Sequence, residues 1–188
     1  LPGMEALFIA AQIAGIYLLA DWITGAVHFW MDRYGKPDMP IVGPTVVEIN
    51  TMHHANPYRM TQRSYWYLTK YSYVLGGILA LVIYLVSGSL SWQWILGLLL
   101  GANANIIHKW SHLTAQERPI WVHVLQRLRL IQSPKEHQRH HGHVDHLTAY
   151  CVMTDFLNPV LERIRFWQAI ETATTWVGLP PNDRLLDH

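Results

Sequence analysis

Histidines are concentrated in one short stretch of the chain, Ser133–Cys151, which reads SPKEHQRHHGHVDHLTAYC. It holds five of the twelve histidines: His137, His140, His141, His143 and His146. Ser133, Pro134 and Glu136 suit the N-cap, the first helical position and the capping-box position of a helix. The first three histidines are then spaced i, i+3 and i+4, so they project from one face. Three imidazoles on one face favour a metal site, and a solvated basic loop is the alternative interpretation.

Three other segments supply further histidines with spacings that suit metal binding. His108 and His112 form an i, i+4 pair, the spacing used by helical zinc and iron sites. His53 and His54 are adjacent on a short helix predicted from about Thr45 to Pro57, where they point about 100° apart and can serve two metals. With the histidine-rich stretch, the set has eight members: His28, His53, His54, His108, His112, His137, His140 and His141.

Eight imidazoles are more than a single metal ion binds. One zinc ion takes four ligands, or three and a water, whereas two metals with three to five ligands each would use the whole set. Haem would leave several of these histidines without a role. Imidazole binds Zn, Cu, Fe and Ni, so the donor type alone does not name the metal.

Three polar residues lie close to these histidines along the predicted helices. Asp21 and Asp32 share a helical face with His28, and we predict that one of these acids accepts the spare N–H of a ligand histidine. An acid within an apolar span is costly and usually functional, although an interhelical hydrogen bond is the alternative role for Asp21. Asn105 lies one turn before His108 and is predicted to support it in the same way.

Charge is distributed unevenly along the chain, and this pattern predicts a membrane protein. The chain is 51% hydrophobic and 14% charged, and all fourteen Lys and Arg lie within 33–70 and 109–184. The stretches 1–32 and 71–108, which have no Lys or Arg, contain long apolar runs. These runs predict an all-α integral membrane protein with three transmembrane helices at about 6–30, 70–88 and 91–112. A soluble helical protein with a buried hairpin is the alternative.

This topology places the basic residues and the histidines on one side of the membrane, which the positive-inside rule makes the cytoplasm. The chain 1–188 is predicted to be a single domain, with a cytoplasmic histidine-rich cap at 113–177 and a flexible tail at 178–188. Within the cap, segments at about 119–131 and 157–177 are predicted to be interfacial helices. The lone Cys151 excludes an intrachain disulfide, and a net charge of +1 gives no indication of nucleic-acid binding.

Several motifs resemble the plasmanylethanolamine desaturase/CarF/Kua lipid desaturase family, which includes the plant chloroplast phosphatidylglycerol trans-desaturase. Spread over roughly 15–170, they are HFWMDRYG, PIVG, HHANPYRMT, NIIHKWSH, HQRHH and AYCVMTDFLN. The resemblance implies a non-haem di-iron desaturase whose catalytic, metal-binding residues are the eight histidines above. It also implies a further histidine ligand before the Tyr-Cys pair, which would be His146 or, failing that, His143.

The resemblance also implies a reaction. Two iron ions use O₂ and external electrons to remove hydrogens from adjacent carbons of a lipid chain, which leaves an alkene or a vinyl ether. Because the chain has no other redox-cofactor motif, the donor would be a separate protein, a ferredoxin or a cytochrome b5-like protein, docked on the basic face. Zinc could replace iron in purified protein.

Metals at the ends of the predicted spans favour oxidation near the headgroup of a phospholipid. We therefore predict vinyl ether formation on a plasmanyl-type ether lipid, with an acyl lipid of the phosphatidylglycerol type as the alternative. An apolar channel between the first and third spans would admit the chain, and the headgroup would meet Arg127, Arg129, Arg163 or Arg165. A di-iron hydroxylase and a membrane metal transporter or storage protein are rival functions, although ligands clustered at one end of the spans argue against transport.

Overall fold

The computed structural model describes residues 2–142 and 147–182, in which helices are joined by loops and turns. No strand occurs in this part of the chain, which confirms the all-α prediction. The elements are α1 (Pro2–Arg33), a π-helical segment (Gly43–Val47), α2 (Glu48–Ala55), α3 (Tyr58–Thr61), α4 (Tyr65–Ser87), α5 (Trp92–His112), α6 (Ile120–Arg127), α7 (Pro134–Gly142), α8 (Leu157–Arg163) and α9 (Phe166–Trp176).

Two helices in the described residues are long and apolar enough to cross a membrane, Gly3–Arg33 within α1 and Tyr65–Ser87, which is α4. Only 11% of the most apolar window of α1, and 6% of that of α4, is buried within the chain. Core helices of soluble proteins are mostly buried, whereas exposed apolar surface of this extent suits contact with lipid. The outward side chains include Leu7, Leu85 and Val86, which are 71–83% exposed.

The third predicted span, α5, packs against both α1 and α4. It follows α4 after a turn at Gly88, which takes a φ of 72° and donates its N–H to the carbonyl of Tyr84 at 2.8 Å. The second half of α5 carries Asn103, Asn105, His108, Lys109 and His112, so it is less apolar than its neighbours. Its crossing of the membrane, and the side on which the histidines lie, stay predictions.

The helices that follow the spans are shorter than the sequence pattern predicts. The predicted helix at 119–131 ends at Arg127, and Arg129 takes a left-handed φ of 58°. The predicted helix at 157–177 is two helices, because Arg165, with a φ of 54°, interrupts it between α8 and α9. This change of direction lets Trp167 pack inward, where its ring stacks on Phe29 with centroids 4.9 Å apart.

Part of the predicted tail is held against the end of α1. The backbone N–H of Asn182 donates to the carbonyl of Arg33 at 2.6 Å, and its side-chain amide donates to the carbonyl of Gly35 at 3.0 Å. Beyond residue 182 the predicted tail lies outside the described residues.

A segment that is neither helix nor strand, residues 148–154, runs through the interior beside α1, and we call it the buried strap. Every one of its residues is buried, so its backbone polar groups need partners inside the protein. Asp21 is the partner of two of these backbone groups and of one side-chain hydroxyl. The N–H groups of Met153 and Thr154 donate to its carboxylate at 2.8 and 3.0 Å, and the Thr154 hydroxyl donates at 2.7 Å.

The middle of the buried strap is held at Cys151. The side chain of Asn158 accepts from the Cys151 N–H at 3.0 Å and donates to its carbonyl at 2.9 Å. Gln132 donates to the same carbonyl at 2.6 Å. Gly25 of α1 permits this close approach, since a Cβ there would lie 2.8 Å from Cys151 Sγ. Side chains far apart in sequence therefore fix the path of the buried strap.

Candidate metal centre

The eight histidines predicted as ligands meet at the junction of α1, α2, α5 and α7. Together with Asp32 they form two groups, and within each group the possible ligand atoms lie within 4.8 Å of one another. The five-histidine cluster consists of His53, His108, His112, His137 and His141. The aspartate cluster consists of His28, Asp32, His54 and His140.

The helix that carries HQRHH begins as predicted but is capped differently. The hydroxyl of Ser133 accepts from the N–H of Glu136 at 3.2 Å, as an N-cap should. The other half of a capping box is supplied by Asp155, whose carboxylate accepts from the N–H of Ser133 at 2.8 Å. Glu136 pairs with Arg139 at 2.8 Å instead. The start of α7 is thus tied to the chain just after the buried strap.

His137 is at the centre of the five-histidine cluster. Its Nε2 atom lies 2.8–3.1 Å from three other Nε2 atoms, those of His108, His112 and His141. An imidazole nitrogen holds either one hydrogen or one lone pair, so it cannot hydrogen-bond three nitrogens at once. Nitrogens bound at about 2.1 Å to one ion are separated by about 3.0–3.4 Å. A cation among these atoms would therefore satisfy all of them.

His53 gives a second indication that this cluster holds a cation. The side chain is buried, and neither ring nitrogen has a hydrogen-bond partner among the described residues. Burying polar nitrogens without partners costs free energy. The His53 ring lies 4.5 Å from the rings of both His108 and His112, so a metal shared with them would supply the missing partner.

In the aspartate cluster, three imidazoles turn their Nε2 atoms towards one carboxylate. Asp32 lies 3.1 Å from Nε2 of His54, 3.2 Å from that of His140 and 3.6 Å from that of His28. The side-chain amide of Asn50 also donates to Asp32. The carboxylate is therefore close enough to the three histidines to share one metal ion with them, and Asn50 holds it in place.

The buried strap determines which nitrogen carries the hydrogen in two of these rings. Nδ1 of His28 lies 3.2 Å from the Tyr150 carbonyl, and Nδ1 of His140 lies 2.8 Å from the Thr148 carbonyl. A carbonyl only accepts, so both Nδ1 atoms donate, and in the neutral ring Nε2 carries a lone pair. A lone pair facing a carboxylate is repulsive unless a cation lies between them. Metal-binding histidines show the same arrangement.

Burial keeps His53 of α2 and the three histidines of α7 neutral, as metal ligands must be. It is the main reason that the pKa values of His53, His137 and His140 are lowered, and neighbouring imidazoles add to the effect. Burial also lowers the pKa of His141 to about 2. Because a charged imidazolium is disfavoured in these positions, a proton is a poor source of the positive charge among these nitrogens. A metal ion would supply that charge and leave the rings neutral.

The predicted supporting residues have other roles than the sequence indicates. For His28 and His140, the carbonyls of the buried strap and not Asp32 take the spare N–H. The contacts of Asp21 given above are to Met153 and Thr154, so it supports the buried strap and not a ligand ring directly. Asn105 donates to the carbonyl of Leu68 at 3.0 Å and ties α5 to α4. His146 and His143 lie outside the described residues.

Two kinds of group that contribute to the site, a side-chain amide and backbone carbonyls, were not predicted. Asn50 is one turn before His53 on α2, and that spacing was a signal that could have identified it. The carbonyls of Thr148 and Tyr150 left no signal, because every residue has a carbonyl and only the path of the chain decides what it meets.

A cleft opens beside the five-histidine cluster, between the end of α1, the α2–α3 segment and the facing parts of α4 and α5. Its inner wall includes His53 and His108, and the arginines that line it are Arg59 and Arg63. The arginines predicted to meet a headgroup, at 127, 129, 163 and 165, do not line it. The cleft thus lies on the α2 side of the site.

We expect Asp21→Ala to destabilise the protein and to weaken metal binding, because it leaves buried N–H groups of the strap without partners. The loss should be about 3 kcal/mol, since each unsatisfied buried donor costs about 1–3 kcal/mol. Thermal unfolding in detergent and metal content measure the two effects. The control is Glu5→Ala, which removes an exposed acid from the same helix. An unchanged unfolding midpoint in Asp21→Ala would contradict the anchoring role.

Comparisons with known proteins find relatives over most of the chain. A family model described as a lipid desaturase domain matches residues 17–183. The chain is 31% identical to a probable fatty acid desaturase of Acanthamoeba polyphaga mimivirus, over 90% of the chain and 84% of that protein. It is 33% identical to plasmanylethanolamine desaturase 1 of Mus musculus, over 88% of the chain and 64% of that protein.

A chloroplastic fatty acid desaturase 4-like protein of Arabidopsis thaliana is 28% identical over 88% of the chain and 57% of that protein. The chain thus spans less than two thirds of the length of the mouse and plant relatives. No solved structure matches the chain.

Proposed function

The chain belongs to the lipid desaturase family, and we propose that it is a membrane-bound di-iron enzyme that desaturates a phospholipid near its headgroup. One observation carries the proposal: a chain of this family brings eight histidines and one aspartate into two adjacent clusters of possible ligand atoms. The nearness of the clusters supports a joint role, since the His54 and His141 rings lie 5.0 Å apart and the His140 and His141 rings 5.5 Å apart.

The donor set fits two iron ions. The five-histidine cluster would hold one and the aspartate cluster the other, and imidazole with carboxylate suits iron as well as zinc. Zinc is therefore a possible substitute in purified protein. When bound, the iron pair supplies the oxidising chemistry by which O₂ and two external electrons remove two hydrogens from a lipid chain, with two protons taken up and two waters formed.

The chain itself orients the ligands and limits access of water to them. The carbonyls of the buried strap hold His28 and His140 with Nε2 towards Asp32, as described above. Above these rings, the phenol ring of Tyr150 packs against His140 with centroids 4.9 Å apart, and Trp167 lies 5.1 Å behind it. The cleft leads to His53 and His108 and gives a lipid a direction of approach.

The depth of the ligands supports oxidation near the headgroup. His28 lies in the last turns of α1, and His108 and His112 lie at the end of α5. We propose that these helix ends face the cytoplasm and that a ferredoxin or a cytochrome b5-like donor delivers electrons there. The preferred substrate is a plasmanyl-type ether lipid, which yields a vinyl ether. An acyl lipid is the second candidate, because relatives named as fatty acid desaturases match the chain as well.

The test combines metal analysis with lipid analysis of cells that express the chain. We expect two metal ions per chain and iron in the native protein. The lipid product should be two hydrogens lighter than its precursor, with the double bond next to the ether oxygen or near the carboxyl end. A product heavier by one oxygen atom would indicate a hydroxylase. Bound metal with unchanged lipids, despite a supplied electron donor, would favour metal storage or transport.

A further inference from the structure

The cleft beside the five-histidine cluster has the lining of a site for one lipid chain. Apolar side chains from four elements form much of its wall: Met31, Ile49, Met52, Met60 and Leu68. Methionine side chains adapt to flexible apolar ligands, so this wall suits a hydrocarbon chain.

The inner end of the cleft meets the five-histidine cluster. His53 and His108 are both 5% exposed, and their rings lie 4.5 Å apart. An occupant that reaches this end therefore lies against rings that we propose as ligands of one metal. The cleft and the metal centre are continuous with each other.

The mouth of the cleft is cationic. Arg59 and Arg63 are exposed, and in the described part of the chain neither forms an ion pair with an acidic side chain. The guanidinium of Arg63 lies over the Tyr67 ring at 4.7 Å, which restrains its position. Lys109 donates to the backbone carbonyl of Arg63 at 2.7 Å and adds a third positive charge nearby.

A bilayer crossed by α4 would have its phosphates near this mouth. Arg59 and Arg63 immediately precede α4, which is apolar enough to cross a membrane. The first residues of α4 include Tyr65 and Trp66, which are 50% and 61% exposed. Exposed aromatic residues at a helix end are typical of the membrane–water interface. The two arginines are therefore expected at headgroup depth, with the cleft leading from them to the histidines.

We propose that Arg59 and Arg63 bind the phosphodiester of the lipid substrate while one of its chains lies in the cleft and reaches His53 and His108. Guanidinium groups bind phosphate oxygens through paired hydrogen bonds, and the apolar wall cannot pair with that charge. The inference rests on the proposed function, because it takes the occupant of the cleft to be the lipid that is oxidised. It makes these arginines the residues that determine specificity for a phospholipid over a lipid without phosphate.

The experiment measures lipid binding and turnover by the full chain in detergent micelles. The variant Arg59→Gln/Arg63→Gln is compared with Arg127→Gln/Arg129→Gln, which removes the same charge from an exposed segment that does not line the cleft. The probes are a fluorescent phosphatidylethanolamine, the matching diacylglycerol and inorganic phosphate. Metal content and the unfolding midpoint are measured for every variant.

We expect the cleft variant to bind phosphatidylethanolamine at least about tenfold more weakly and to show a correspondingly raised KM, because charged hydrogen bonds to phosphate are lost. Its metal content should be unchanged, its binding of diacylglycerol should equal that of wild type, and the control should bind every probe as wild type does. Inorganic phosphate should compete only weakly.

Equal binding of phosphatidylethanolamine by wild type and the cleft variant would overturn the proposal. Competition by inorganic phosphate as strong as that by the phospholipid would also overturn it, since it would indicate a site for free phosphate. If the wild-type chain forms no desaturated lipid, the proposed function fails. The binding measurements still decide, independently of turnover, whether the arginines hold the lipid phosphate.

Discussion

Asp32→Asn is expected to remove one of the two metal ions and to abolish lipid desaturation. The carboxylate lies 3.1–3.6 Å from the Nε2 atoms of His28, His54 and His140. Asparagine keeps the shape but lacks the negative charge that balances the ion, and with its oxygen accepting from Asn50 its amide N–H groups would face His28 and His140. Changes in residues that only support metal ligands cost about 10–100-fold in metal affinity, so loss of a ligand should cost at least that much.

Metal analysis of the purified variant, together with lipid product analysis, measures this effect. Asp38→Asn is the matched control, because Asp38 is exposed and belongs to neither cluster. We expect one ion per chain in Asp32→Asn and two in the control. Two ions and normal product in Asp32→Asn would show that the carboxylate is not a ligand.

His137→Ala is expected to empty the five-histidine cluster and leave the aspartate cluster loaded. Its Nε2 atom lies within 3.1 Å of the Nε2 atoms of His108, His112 and His141, so its removal takes away the central nitrogen of the group. Desaturation should fall to background, because the proposed chemistry needs both ions. The double variant Asp32→Asn/His137→Ala should hold no metal, which distinguishes two separate sites from one shared site.

His123→Ala is the control for this second variant. His123 lies on α6, outside both clusters, and its Nε2 contacts the backbone carbonyl of Ala115 at 2.9 Å. We expect it to keep both ions and most of the activity. If His137→Ala keeps two ions and a normal product while its unfolding midpoint is unchanged, His137 is not a metal ligand.

The convergence of the histidines could be predicted from the sequence because local spacing and topology both point to it. The pair His108 and His112 needs only a continuous helix to share a face, and the same holds for His137 and His141. The order of apolar and basic segments then brings the four histidine-bearing segments together. Local periodicity and charge pattern are properties of short stretches, so they can be read without knowing how the elements pack.

The division into two clusters could not be predicted, because it depends on how α2 and α7 approach α1. Asp32 follows His28 by one turn, so the sequence shows only that the two share a face. Asp32 lies among three Nε2 atoms because two more histidines approach it from other helices. His54 is 22 residues further along the chain, and His140 is more than 100 residues further. The break at Arg165 was missed for a similar reason, since the packing of Trp167 against Phe29 is a contact between distant residues.

The presence of α7 in both clusters implies an order of events during synthesis of the protein. The five-histidine cluster takes residues from α2, α5 and α7, and the aspartate cluster takes residues from α1, α2 and α7. A nascent chain that ends before Pro134 lacks three of the eight imidazoles and the strap carbonyls that orient two of the rings. Neither cluster then has its full set of possible ligands. If the clusters hold metal ions as proposed, metal loading is a late step, which requires the chain through the buried strap to have left the ribosome.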